Sequence, residues 1–342
     1  MSDSEIRDFI RRLPKAELHL HLEGTITPAT LVDLSARHDA NPITLPEAEA
    51  LYQFTDFTGF IEAFKAVTRR LIGPEDYELA AWRMMERLAA QGVVHAEVYI
   101  SVGVIYMWRN HDPLAFEPIF AGLEHARERG ERELGLSLYW IFDAVRHFTV
   151  EEAGVVFRKA AEMRAKYPSI IGIGLGGDER QRGSEPFRAL YAEAAQAGLR
   201  LTNHAGETTG PEAIWEALAI GSERIGHALS AIQDIELIRE LEGGTRWVAL
   251  ELNPTSNVRT GVCASFADHP LRQYFDTGLL VTLNSDDPAF FGSDVANEYF
   301  LAHTEQGFTR EELRQLAANS IYASFLPDAE KTQWLTRIGT TR

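Results

Sequence analysis

Between Ala16 and Asn284, eight short apolar segments alternate with stretches of helical periodicity. Strands joined by intervening helices pair in parallel, because each crossover returns the chain to the same end of the sheet. The expected strands are Ala16–His21, Val93–Ile100, Leu136–Phe142, Ile170–Leu175, Arg200–His204, Arg224–His227, Trp247–Leu252 and Leu279–Asn284. Eight such units predict a closed (β/α)8 TIM barrel, an α/β fold. Helices are expected at Pro28–Arg37, Phe57–Arg70 and Pro74–Gln91, two of them opened by a first-turn proline. These three make a helical insertion after strand one, over about 28–91. Further helices are expected near Leu114–Gly130, Val150–Lys166, Glu185–Ala197, Pro211–Ala219, Asp234–Leu241 and His269–Thr277. Thr309–Phe325 and Pro327–Leu335 read as extra C-terminal helices covering about 309–342. With no internal repeat, low-complexity tract or linker, residues 1–342 read as one barrel domain.

Composition narrows the function classes. The apolar share of 45% supports a large core, yet no apolar run approaches the roughly 18 to 20 residues of a membrane span. Met1 to Arg12 lacks the apolar region of a secretion signal. One cysteine, Cys263, allows no internal disulfide and no cysteine-based structural zinc site, which points to a reducing cytoplasm; Cys263 itself reads as a small buried filler. A net charge of −17 opposes nucleic acid, since phosphate contacts need clustered Lys and Arg. The expected partner is a small neutral or cationic molecule, with no nucleic acid and no membrane; the sequence specifies no oligomeric state.

A barrel places its chemistry at the C-terminal ends of its strands. Strand one ends in His19-Leu20-His21, and side chains at i and i+2 share a face, so the two imidazoles converge unless the strand merely happens to carry two histidines. Gly24 then lets the chain turn tightly. Later strand ends carry Gly176-Gly177-Asp178-Glu179, His204-Ala205-Gly206-Glu207, Gly226-His227, Glu251-Leu252-Asn253-Pro254 and Asn284-Ser285-Asp286-Asp287-Pro288. From these, His19, His21, His204 and Asp286 are the natural metal ligands. An all-nitrogen-and-oxygen set favours Zn²⁺ and also suits Fe²⁺, Mn²⁺ or Co²⁺. No lysine stands at the end of strand four to bridge a second ion, so one metal is expected.

The remaining strand-end groups are candidates for proton transfer and orientation. Glu207 can face the substrate, or act as a helix-start acid. His227 can hold or deprotonate the metal-activated water, and Asp287 can orient that water or the substrate, or cap the loop before Pro288. His38, His111, His125, His147, His269 and His303 read as surface or capping residues, and His95 as a satisfied core residue. Phe54, Phe57, Phe60 and Phe64 either line a lid or form a helix-face core.

The sequence resembles the adenosine deaminase family of metal-dependent aminohydrolases. Six motifs carry the resemblance in order: Pro14–Gly24, Gly177-Asp178-Glu179, His204–Glu207, Arg224–His227, Asn253–Asn257 and Asn284–Pro288. The resemblance implies zinc on His19, His21, His204 and Asp286. It implies that Glu207 gives a proton to purine N1 while His227 and Asp287 position the hydroxide that attacks C6, with ammonia leaving. Gly177 would offer its N–H to purine N3, and His21, Glu23 and Asp287 would line the substrate. Glu23 stands where adenosine deaminases typically have Asp, and Ala228 where Gly is frequent. Glu at that place is common in adenine deaminases and in deaminases of 6-aminodeoxyfutalosine. The expected substrate is therefore a 6-aminopurine nucleoside altered at its 5′ end, 6-aminodeoxyfutalosine before adenosine, with free adenine third. A metal-dependent phosphoesterase would need more ligands and cationic groups at the strand ends. A non-catalytic purine-binding barrel would show gaps among the ligands or acids, and none is missing.

Overall fold

The computed structural model describes residues 2–54, 57–108, 116–243 and 247–341. Eight strands follow one another around a barrel: Lys15–His21 (β1), Val93–Ile100 (β2), Ser137–Val145 (β3), Ile170–Gly176 (β4), Arg200–Ala205 (β5), Arg224–His227 (β6), Ala249–Leu252 (β7) and Val281–Leu283 (β8). Every neighbouring pair is parallel. All eight expected strands are present. β7 and β8 are shorter than expected: Trp247, assigned to a strand, is 84% exposed and lies before β7.

The seam between β8 and β1 closes by side chains more than by a ladder. Asn284 Oδ1 accepts from the N–H groups of Leu18 (2.9 Å) and His19 (3.2 Å). Glu17 accepts from the Ser285 N–H at 3.0 Å and from its hydroxyl. One parallel bridge joins Leu20 to Asp286, through His21 N–H to Asp286 C=O (3.0 Å) and Asp286 N–H to His19 C=O (3.2 Å). Backbone groups that a longer strand would have paired are thus satisfied by buried acceptors. The same contacts set β1 against the segment after β8.

Inside the barrel the floor is ionic. Arg224 of β6 reaches both Glu97 of β2 and Glu251 of β7, and all three side chains are at most 1% exposed. Such a triad is tolerated because each charge meets its opposite; removing one partner would strand the others. Outside, helices Pro28–His38, Phe57–Thr68 and Pro74–Ala90 make the insertion, joined by an unanticipated short helix, Leu45–Leu51. Phe60 packs against Phe54, Phe64, Phe290 and Phe291 at 5.3–5.9 Å between ring centroids, so these rings are core between the insertion and the segment after Asp287. The side chain of Phe57 lies outside the described residues, as does His111.

Helix Asp3–Arg12 was also not anticipated, although its signal is local. Ser2 and Glu5 form a capping box, and Ile6, Phe9 and Ile10 make one buried face. Val295–Gln306 joins Arg310–Ala323 and Asp328–Thr340 in the C-terminal cover. Cys263 is only half-buried, its Sγ 3.3 Å from the Ser265 carbonyl, which corrects the buried-filler reading. Among the described residues no helix is long and apolar enough to cross a membrane.

Candidate active site

His19 and His21 share one face of β1, their rings edge to face with centroids 5.5 Å apart. β5 brings His204, and the turn after β8 brings Asp286. The Nε2 atoms of His21 and His204 are 3.2 Å apart, and Asp286 Oδ1 is 3.5 Å from His19 Nε2 and 3.4 Å from His21 Nε2. Ligand atoms arranged tetrahedrally at about 2.0–2.1 Å from an ion lie about 3.3–3.5 Å from one another. The three measured separations match that spacing; His19, His21 and His204 form one group able to hold an ion, and His19 and Asp286 fall in a second together with His227. His19 Nε2 is buried without a hydrogen-bond partner, a polar atom left for a bound group to meet.

Protonation agrees with the fit. Burial pushes the His21 imidazole down to about 4, and burial with the charges of His19, His21 and His227 presses His204 well down, so both are neutral near pH 7. Burial also lowers His19, but the neighbouring carboxylates of Asp286 and Glu251 outweigh it and hold the ring up to about 10. A metal ion bound there would take the place of that proton. Behind the four residues, Glu251 Oε2 accepts from His19 Nδ1 at 2.8 Å and from the Tyr99 hydroxyl at 3.2 Å. Ser256 Oγ donates to Asp286 Oδ2 at 2.6 Å. Such outer partners orient a ligand ring and select which nitrogen faces inward.

Among the described non-glycine residues, left-handed φ occurs only at His227 (64°), Ala228 (48°) and Asp286 (63°). Each costs of order 1–3 kcal/mol, and all three are at this site. At Ala228 a glycine would adopt the same φ without that cost.

Glu207 stands two residues past β5. Its backbone N–H and those of Gly206 and Thr208 all donate to the buried Glu179 carboxylate at 2.7–3.1 Å, as does the Thr209 hydroxyl. The helix that follows, Pro211–Ala219, takes Gly210 as its N-cap, so Glu207 is not its cap. The Glu207 carboxyl lies 3.7 Å from His227 Nε2; burial, then the charges of Asp286 and Glu179, push it up to about 8. Asp287 makes no side-chain cap to Pro288–Phe291, and its buried Oδ1 has no partner. Burial and then Asp286 push its carboxyl up as well. A Cβ on Gly24 would meet the Asp287 Cα at 2.6 Å, so this glycine serves a close approach. Glu23 is 3% exposed: Oε1 accepts from the Ser101 N–H at 3.1 Å, Oε2 has no partner, and burial pushes the carboxyl up to about 7. Gly177 leaves β4 with φ 86° and is exposed.

Residues 14–341 match the family model described as adenosine deaminase. The chain belongs to the adenosine deaminase family. It is a metal-dependent aminohydrolase. It is 38% identical to the aminodeoxyfutalosine deaminase of Streptomyces avermitilis, over 98% of this chain and 93% of that one. Against the adenine deaminase of Wolinella succinogenes it is 32% identical, over 97% and 99%. Its fold is similar to the crystal structure of an adenine deaminase from Arthrobacter aurescens (TM-score 0.88, 33% identity, 96% of this chain and 98% of that one). An amidohydrolase from Burkholderia ambifaria with bound Zn is also similar (TM-score 0.88, 27% identity, covering 97% and 91%).

In this member of the family, several site residues carried no assignment from sequence. Glu179, Glu251 and Asn257 sit inside quoted motifs, but nothing local says that they contact the loop of Glu207, His19 and His227. Asp143 of β3 is 4% exposed and has one oxygen without a partner. A Cβ on Gly176 would lie 3.0 Å from its other oxygen and 3.5 Å from His204, so Asp143 also borders the site. His269, read as a surface or capping residue, is 2% exposed; it does cap, accepting from the Leu271 N–H, but from the interior. His38, His125 and His147 are at the surface, and His95 is a buried core residue bonded to Ser137 and Glu97, all as expected.

Proposed function

We propose that this aminohydrolase removes the C6 amino group of a 6-aminopurine nucleoside, with 6-aminodeoxyfutalosine as the preferred substrate. His19, His21, His204 and Asp286 would hold one Zn²⁺. The observation that carries the reading is the buried Glu207 carboxyl, pushed up to about 8 and 3.7 Å from His227 Nε2, at the strand-end face that also carries His19, His21 and His204. A bound metal supplies a water acidic enough to react near neutral pH. Glu207 gives its proton to purine N1, which drains electron density from C6 and opens it to attack. His227 and Asp287 hold the attacking oxygen, and Asp287 and the Gly177 N–H position the ring. The C–O bond forms at C6 and the C–N bond breaks; of the two hydrogens of the water, one leaves on the departing ammonia and the other restores the proton that Glu207 gave to N1.

Substrate choice rests on Glu23. Its partner-free Oε2 is one methylene farther from the backbone than an aspartate would place it, which leaves less room for a plain ribose 5′ end. The aminodeoxyfutalosine deaminases at 38% identity support the nucleoside reading, and the adenine deaminases at 32–34% support free adenine as the second. An ultraviolet assay on zinc-loaded enzyme compares 6-aminodeoxyfutalosine, adenosine, 5′-methylthioadenosine and adenine. The first is expected to give the highest kcat/KM, and inactivity on all four defeats the purine reading. Activity should fall as pH rises through about 8, where Glu207 loses its proton. Glu207→Gln should retain one zinc per chain by elemental analysis while losing roughly 10²–10⁴-fold in kcat.

A further inference from the structure

A line of hydrogen bonds with only one possible direction ends on His227. It begins at the Leu271 backbone N–H, 3.2 Å from His269 Nδ1. A backbone amide can only donate, so this nitrogen is bare. His269 is 2% exposed, and burial pushes its imidazole down to about 3, so the ring is neutral and its single proton is on Nε2. His269 Nε2 lies 3.2 Å from Asn257 Oδ1 and donates to it. With its oxygen so engaged, the buried Asn257 amide directs its NH₂ at His227 Nδ1, 3.0 Å away. An NH₂ also only donates, and a proton on His227 Nδ1 would face it donor against donor. Asn253 Nδ2 lies 3.4 Å from both ring nitrogens of His227 and so favours neither.

We infer that Asn257 and His269 are positioning residues that lock His227 in its Nε2–H tautomer, making it a hydrogen-bond donor to the attacking oxygen and not the base that takes its proton. The inference deepens the proposed deamination and rests on His227 facing that oxygen. Its Nε2 lies 3.7 Å from Glu207 Oε2 and 3.8 Å from Asp286 Oδ2. An Nε2–H there has no lone pair with which to accept a proton.

The test reads the tautomer directly. Two-bond ¹H–¹⁵N spectra of zinc-loaded, ¹⁵N-histidine-labelled protein without substrate should show His227 with a bare Nδ1 and a protonated Nε2, the signals assigned by their loss in His227→Gln. Asn257→Asp offers an acceptor to Nδ1; the proton should move there, with kcat falling at least tenfold and KM changing less than threefold. His269→Gln, whose amide keeps an N–H for Asn257, should lose less kcat than His269→Leu, which keeps none. A wild-type His227 protonated on Nδ1, or an Asn257→Asp protein that keeps the Nε2–H pattern, overturns the relay. If both Asn257→Asp and His269→Leu fail to fold, the wild-type spectrum still decides. A wild-type enzyme that turns over no purine refutes the deaminase reading separately, because the spectrum needs no substrate.

Discussion

At the scale of single residues, the site contains several carboxyls held against their ordinary chemistry. Glu23, Glu207, Asp143 and Asp287 are all pushed up by burial, which favours the protonated form of each. Only Asp286 is driven the other way, because the hydrogen bond from His19 and the charges of His227, His19 and His21 overcome its burial. The acid that should discriminate between substrates is Glu23. Its Oε1 accepts from the Ser101 N–H, and its Oε2 has no protein partner, which leaves that oxygen for the proposed substrate contact. Glu23→Asp shortens that reach by one methylene and should move the ratio of kcat/KM for adenosine over 6-aminodeoxyfutalosine upward by tenfold or more. An unchanged ratio would remove Glu23 from the substrate account.

At the scale of elements, position is set by side chains that clamp loops. The four donors converging on Glu179 make the turn after β5 a single conformation, and the Glu207 carboxyl inherits it. Glu179→Gln keeps the shape but turns one acceptor into a donor facing N–H groups. Lost hydrogen bonds at buried groups cost about 1–3 kcal/mol, and a misplaced catalytic group about 10²-fold in rate. The variant should therefore bind zinc normally, melt earlier, and lose kcat far more than it raises KM; normal turnover would show that Glu207 needs no such clamp. The insertion is held differently, by Phe60 and Phe64 against Phe290 and Phe291, which ties it to the segment carrying Asp286 and Asp287.

At the scale of the whole molecule, the proposed ligands come from β1, β5 and the turn after β8. An ion shared among them spans the seam, where the backbone ladder is thinnest. Metal binding should therefore stabilise the fold, by about 4 kcal/mol at a thousandfold excess over Kd. Chelation should lower Tm, with zinc restoring it. Because the ion displaces the proton that Asp286 and Glu251 hold on His19, apparent affinity should weaken as pH falls, which titration calorimetry in two buffers of different ionisation enthalpy reads as proton release. An affinity independent of pH between 6 and 8 would count against His19 as a ligand.

How much of this was legible in the sequence differs by kind. Periodicity placed every strand, because alternation and helical spacing are local properties of the chain, and the barrel rule then marked His19, His21, His204, Glu207, His227, Asp286 and Asp287 as strand-end groups. First-turn prolines showed where two of the insertion helices begin, while Leu45–Leu51 went unanticipated. The capping box of Ser2 and Glu5 was equally readable and passed over. Strand-end position alone did not separate Glu207 from Glu251; the resemblance singled out Glu207. One stands beside His227 at the mouth, and the other lies inside the barrel between Arg224 and His19. Nor could it find His269, whose link to His227 runs through Asn257, 30 residues away along the chain from His227. Residue types and their spacing determined the fold and the class of chemistry. Burial and partners distant in sequence decided which acid keeps its proton and which nitrogen carries one, because both depend on dielectric and hydrogen-bond direction, which exist only once the strands have closed.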